Sequence, residues 1–531
     1  MKRGSLALLG FSLLWPFALA VRADDIKPET AYGAGGITLP REAQQIPEVE
    51  FRRLVRESHI KLTHGQAMRE HEAATKLRTK QDEDFVKQKL AQTPELLGRL
   101  TRKPSPQDPH VKALPDGNYM MTIQDTQGRT QQIVTMGDEF LYGSIANSLR
   151  KFHVHKNQHE MYGQVFKMLP ERYKQQKQLP KPQEITHYTA EQLTSLNVSI
   201  ANDINIIMPY LILDPKPSGY PASCAAEIGY DSRNTDRTGG ICAHNANGLF
   251  QNSKYPLKWY ATCVKNQGNR GTCVSFGVTA SVESKIALKH AKWVNLSEED
   301  LYNKAKMTWY PSVWGDGLNT AGIVNDINDR NYVFPYEQSW NYNPSYSRTS
   351  NAVTHTYHNS CVGYTGPFCS DTNHQGQLVC SRISILGTTF TFCGYRAPVA
   401  GTSAEQATVV SQVWNPANPS LSTSLLALAV ILKIPATIAL PVTPSFDGAP
   451  ATGFQSFLGA GEGNRGWHAV QVLGFVSNTS LPAAMPKGSG GGWFVIKNSW
   501  GACWKDAGYI YLSYDWVKTY VGSASLINDV I

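Results

Sequence analysis

Four side chains, in three separate stretches of the chain, have the types and settings that acyl transfer requires. Cys273 lies in the run VKNQGNRGTCVSF at positions 264–276, just before an apolar pattern with Val274, Val278 and Val282 on one face. That periodicity predicts a helix over 274–291 with Thr272 as its N-cap. A thiol in the first helical turn is favoured as thiolate, because the helix dipole and the free N–H groups there stabilise an anion. Gln267 lies upstream, with Gly268 and Gly271 in between to let the loop fold back. Its amide and the Cys273 N–H could then aim two donors at one point, an oxyanion hole. His468 stands in GWHAVQVLGF at 466–475, and Asn498 in WFVIKNSWG at 493–501. Both runs read as apolar strands that could deliver a base and an orienting amide to the same place. Trp500 is placed to cover the His468–Asn498 bond from water. Taken singly, a Cys near glycines, a His on an apolar strand and an Asn at a strand end are ordinary structural residues. It is their joint occurrence that points to nucleophilic catalysis.

These stretches resemble the papain family of cysteine peptidases. Further agreement, in the family's order, comes from LSEEDL at 296–301, FPYE at 334–337, PATIAL at 435–440 and GYI at 508–510. The resemblance covers about 255–515. It implies an α+β, two-lobed fold: a helical lobe led by the Cys273 helix and a β-rich lobe carrying His468 and Asn498. It also implies Cys273 as nucleophile, His468 as base, Asn498 as its orienter, and Gln267 with Cys273 as the oxyanion hole, with no metal and no cofactor. Protein or peptide substrates follow, as does an inhibitory prosegment.

Departures from the family pattern are specific. Arg270 and Lys304 stand where the family has a disulfide pair, so both partners are missing together. Val274 replaces an aromatic residue after the nucleophile, and Trp467 precedes the base. The interval from Cys273 to His468 exceeds the ~130–150 residues usual for the family. The excess maps to a Ser/Thr/Asn/Gly-rich insertion at 341–415 holding Cys361, Cys369, Cys380 and Cys393.

The elements around this core complete the organisation. Lys2 and Arg3 precede an apolar stretch from Leu6 to Ala20 broken by Pro16, with small residues after it, which predicts a signal peptide over 1–23 and export. Residues 24–245 are expected to form a helix-and-hairpin prosegment that acts as the protein's own inhibitor, and 246–531 the peptidase domain. Helical spacing is expected within 41–104 and 138–174, and a hairpin over 118–136. A strand such as 202–213 is expected in or near the groove, and a cuttable polar segment at 225–250. His153, His155, His159 and Glu160 could suggest a metal, but His153 and His155 share no helical face and an exposed polar helix is the plainer reading. Of nine cysteines, setting Cys273 aside leaves an even number for disulfides, their pairing open. The net charge of +8 is spread over 531 residues, which argues against a nucleic-acid partner. The segment 425–440 is interrupted by Lys433 and Pro435, so it reads as core and not as a membrane span. The expected location is therefore extracellular, or a periplasmic or lysosome-like compartment in transit, with no membrane contact after signal cleavage. Two other functions remain consistent with these residues: a catalytically silent binding protein on the same scaffold, and a transpeptidase.

Overall fold

The computed structural model describes residues 43–44, 88, 91, 104–137 apart from 115–117 and 127, 190–208, 257–305 apart from 269, 317–342 apart from 330 and 341, 377–396 apart from 386–387, 403–457 apart from 415–417, and 462–531. The expected signal peptide, the 138–174 helices, the His153–Glu160 cluster and the 225–250 segment lie outside the described residues.

The fold is α+β. Its scaffold is an eight-stranded sheet in the order β10-β13-β12-β11-β9-β14-β8-β5. The strands are β5 (Val333–Pro335), β8 (Ser403–Gln412), β9 (Ala436–Pro441), β10 (Phe454–Gln455), β11 (Trp467–Ser477), β12 (Gly492–Lys497), β13 (Tyr509–Ser513) and β14 (Ser523–Val530). All residues of β9, β11, β12 and β13 are buried, so these strands read as nearly continuous apolar runs without alternation. β11 pairs antiparallel with both β9 and β12, which puts the strand of His468 beside the strand that runs directly into Asn498. The expected insertion at 341–415 ends in β8, whose register with β14 makes it part of this scaffold. The preceding β6 (Gln377–Ile385) and β7 (Thr388–Arg396) pair as a hairpin that sets Cys380 opposite Cys393.

The helix-rich lobe consists of α2 (Cys273–His290), α3 (Glu298–Lys304) and α4 (Thr320–Asp329). The helix that starts at Cys273 packs tightly on the sheet at Gly277. A Cβ there would stand 3.1 Å from Thr437 Cγ2 and 3.4 Å from the Ala469 carbonyl carbon, so the missing side chain is what permits the approach. α5 (Pro419–Ile431) is capped by Asn418, whose Oδ1 accepts from the Leu421 N–H, and is buried from Leu421 to Ile431. Together with β9 it accounts for the 425–440 run as core. No helix among the described residues is long and apolar enough to cross a membrane.

Upstream, β2 (Val111–Ala113), β3 (Tyr119–Gln124) and β4 (Thr130–Thr135) form a three-stranded antiparallel sheet, with Gly128 at φ +75° in the β3–β4 turn. β1 (Ala43–Gln44) pairs with β6, so at those two positions the chain is extended where helical spacing was expected. α1 (Ala190–Ile207) corrects another expectation: residues 202–207, read as the start of a strand in the groove, are helical. Ile200 and Ile204 of that helix, four residues apart, are buried in the main core, the spacing of one helical face.

Candidate active site

α2 begins at Cys273 itself, a free and fully buried thiol; Cys263 and Cys503 are disulfide-bonded. Thr272 occupies the N-cap position but its side chain makes no cap bond. Its Oγ1 lies 2.6 Å from Tyr342 Oη instead, so the expected capping contact is replaced by a link to the helical lobe. The first-turn N–H groups are thereby left uncapped by Thr272.

The loop before the nucleophile is fixed from several sides. Gly268 has φ +61°, a turn that glycine adopts without strain. The Gln267 N–H donates to the Ser499 carbonyl at 2.8 Å, its Oε1 accepts from Ser499 Oγ at 2.6 Å, and its Nε2 donates to the Arg270 carbonyl at 2.7 Å. One amide hydrogen of Gln267 remains for a further acceptor. Below the loop, Lys265 Nζ reaches Glu283 Oε1 at 2.9 Å and Glu298 Oε1 at 2.6 Å. Burial works against this ammonium, but Glu283, Glu298 and Glu337 outweigh it and hold its pKa above the ordinary lysine value.

The missing family disulfide has a replacement in the same place. Arg270 Nη1 lies 3.2 and 3.1 Å from the two carboxylate oxygens of Glu299. The guanidinium carbon sits 4.4 Å from the Tyr302 ring centroid. A buried ion pair thus ties the loop before Cys273 to α3. Arg270→Met should therefore cost about 3–5 kcal/mol by taking the guanidinium away from the buried Glu299 carboxylate. The double change R270M/E299Q should recover most of it. Urea denaturation of the three proteins checks this, and equal stability for R270M and the parent would disprove it.

His468 and Asn498 meet at 2.6 Å, Nε2 to Oδ1. The Asn498 amide orientation is fixed by the Ser499 N–H, which donates to the same Oδ1 at 2.7 Å. An amide oxygen only accepts, so Nε2 must carry the hydrogen and the neutral ring keeps its lone pair at Nδ1. Trp500 lies over the ring, centroids 4.6 Å apart, and is itself fully buried. Burial pushes the His468 pKa down to about 4, although the Asn498 bond favours the protonated form.

Sequence reasoning did not single out Met136. Its N–H donates to the Trp467 carbonyl at 2.9 Å and its carbonyl accepts from the Trp467 N–H at 2.7 Å. Met136, Cys273, Val274 and Trp467 belong to one buried cluster. Thr135 Oγ1 adds a bond to the Arg465 carbonyl at 2.9 Å. Arg465 in turn pairs with Asp108 at 2.8 Å and Asp447 at 2.6 Å, and Thr126 bonds the Cys503 carbonyl through its N–H and hydroxyl. The end of β4 thus lies against the residue that precedes His468, and both Cys273 and His468 are inaccessible to solvent. The hairpin itself shows in the sequence as alternation; nothing in Thr135-Met136-Gly137 marks where it docks.

Among known proteins, residues 254–360 and 410–526 match the model of the papain family cysteine proteases. A viral cathepsin of Epiphyas postvittana nucleopolyhedrovirus is 38% identical over 88 residues, covering 15% of this chain and 25% of the relative. A viral cathepsin of Choristoneura fumiferana nuclear polyhedrosis virus is 50% identical over 40 residues, covering 8% and 12%. The chain thus spans a quarter or less of the length of these curated relatives. Among solved structures, xylellain, a cysteine protease from Xylella fastidiosa, aligns with 51% of this chain and 83% of its own at 15% identity and a TM-score of 0.33. With the family model matching on both sides of the insertion, the 254–526 half of this chain is a papain-family cysteine protease domain.

Proposed function

We propose that this chain is the precursor of an exported cysteine endopeptidase, with Cys273 as nucleophile, His468 as base and Asn498 as the residue that orients the base. The observation that carries the reading is the 2.6 Å bond from His468 Nε2 to Asn498 Oδ1, in a protein whose free buried thiol starts a helix. In this mechanism His468 Nδ1 takes the thiol proton, giving a thiolate–imidazolium pair. The thiolate attacks the peptide carbonyl carbon. The resulting oxyanion is held by the Cys273 N–H and the remaining Gln267 amide hydrogen. Collapse forms the thioester, and the imidazolium gives its proton to the departing amine. Water, deprotonated by His468, then attacks the thioester, releasing the carboxylic acid and the thiol. Trp500 keeps water off the His468–Asn498 bond throughout. The substrates are proteins or peptides that lie along the Trp467 side of the cleft.

The 24–245 segment acts as the inhibitor in this reading. Met136 takes the backbone positions that a substrate strand would use at Trp467. The same cover also discharges the site, because a buried imidazole resists protonation and the ion pair cannot form until the cleft opens.

Labelling of Cys273 by an electrophilic peptide tests this directly, read as the ratio of rates for the intact and the processed chain. The His468 pKa is about 4 when covered and rises toward the ordinary ~6.5 when exposed. Between those values the open form binds more protons, so acidification favours opening, and above ~6.5 this drive vanishes. Asp108 acts in the same direction at lower pH. Burial raises its pKa, but the Arg465 side chain and the His110 N–H outweigh that and leave it below the ordinary value. Its pairing is therefore lost as pH falls through that lowered value. The expected ratio climbs roughly tenfold or more from pH 6.5 to 4. A ratio that stays level across that window would remove the inhibitory role.

A further inference from the structure

Gln471 lies three residues past His468 on β11, and its amide points away from the imidazole toward α2. Its Nε2 donates to the Ala280 carbonyl at 2.9 Å and to Ser284 Oγ at 2.7 Å. One side chain thus ties the nucleophile's helix to the strand of the base. Its Oε1 is buried without a protein partner, and so is Asn498 Nδ2; the two residues are 1% and 2% exposed. Both line one small cavity, together with Phe276, Ala280, Glu298 and Lys497. The space open to the centre of a water molecule there is about 10 Å³, close to the least that holds one water. Of the residues lining it, Gln471 has an acceptor and Asn498 a donor with no protein partner. Buried polar atoms left unmatched are costly, and a single water within hydrogen-bond reach of the two would satisfy both.

We propose that one internal water bridges Gln471 Oε1 and Asn498 Nδ2, which makes Gln471 a positioning residue for the His468–Asn498 pair. The inference rests on the catalytic reading of Asn498 given above. Asn498 Oδ1 accepts from His468 and from the Ser499 N–H. The water holds the other end of the same amide, so the plane of the Asn498 side chain is fixed at both ends. Because Gln471 also grips α2, the bridge links the orientation of the imidazole to the position of the helix that carries the thiol. Loss of the bridge frees the amide to rotate, and the imidazolium loses part of its partner.

The test uses the processed enzyme with rates normalised to titrated active sites, so a misfolded fraction does not count. Gln471→Leu should lower kcat about tenfold with KM within about twofold, since small misplacements near the reacting groups cost rate more than binding. The bell-shaped pH profile should narrow by about half a unit or more on each limb, as the thiolate–imidazolium pair weakens. Ser284→Ala breaks one contact of the same amide but leaves the bridge, and should leave the profile in place. Independently of any variant, a crystal structure should show density for a water within hydrogen-bond distance of both Gln471 Oε1 and Asn498 Nδ2. An empty cavity, or a Q471L profile and kcat equal to the parent, overturns the proposal. If Cys273→Ala is inactive in either of those cases, the catalytic reading stands and only this inference fails. If Cys273→Ala retains activity, both fail.

Discussion

Cys273→Ala is expected to lower peptide-bond hydrolysis by the processed protein by roughly four orders of magnitude or more, because the covalent route disappears with the sulfur. The remaining groups cannot replace it. His468 Nδ1 could deprotonate a water, but α2 places its first-turn N–H groups around the Cys273 position, where a loosely held water has no fixed line of attack. The fold should tolerate the change, since a buried thiol-to-methyl substitution at a helix start removes little volume. Thermal unfolding of the variant should therefore match the parent within a few degrees while hydrolysis is lost. Retention of hydrolysis by Cys273→Ala would refute the assignment of the nucleophile. The silent-scaffold alternative predicts no measurable hydrolysis by the parent either. Transpeptidation predicts products that incorporate an added amine.

Met136→Pro should uncover the site. Proline has no N–H to donate to the Trp467 carbonyl and its ring fixes φ, so the two-bond exchange between Met136 and Trp467 is broken. Burial of the Met136 side chain, 2% exposed, is lost with it. Together these amount to about 3 kcal/mol or more, which corresponds to a roughly 100-fold higher rate of Cys273 labelling in the unprocessed chain. Met136→Leu keeps the backbone pairing and most of the apolar volume, and should stay close to the parent. Equal labelling of M136P and M136L would show that the β4 end is not the cover. The Asp108–Arg465 pair holds the module at a second point, so its removal should add to the M136P effect instead of replacing it.

Much of this site is visible in the order of residues alone. The candidate set could be proposed because each member carries its local context: glycines before Cys273, an apolar strand around His468, and a polar turn after the strand that ends at Lys497. The hairpin at 119–135 is legible for the same reason, since alternation is a local property. The 425–440 run could be assigned to the core because a lysine and a proline interrupt it. Less legible was the segment from residue 202, where a strand in or near the groove was expected. The chain there is helical, and a buried face packed on α5 decides that outcome.

Sequence by itself determined the chemistry available to this protein: a thiol at a helix start, an imidazole and an amide on strands, and the family these motifs belong to. Tertiary structure alone decided how they are held and what lies against them. Arg270 faces Glu299 because α3 returns to the nucleophile loop, a contact between residues 29 positions apart. Gln471 meets Asn498 at a shared cavity because β11 and β12 are neighbours under α2. Met136 reaches Trp467 across some 330 residues of chain, with nothing in its own neighbourhood to mark it. Propensity and periodicity act over a few residues, whereas a docked strand, a buried ion pair and a one-water cavity depend on surfaces that exist only once the chain has folded.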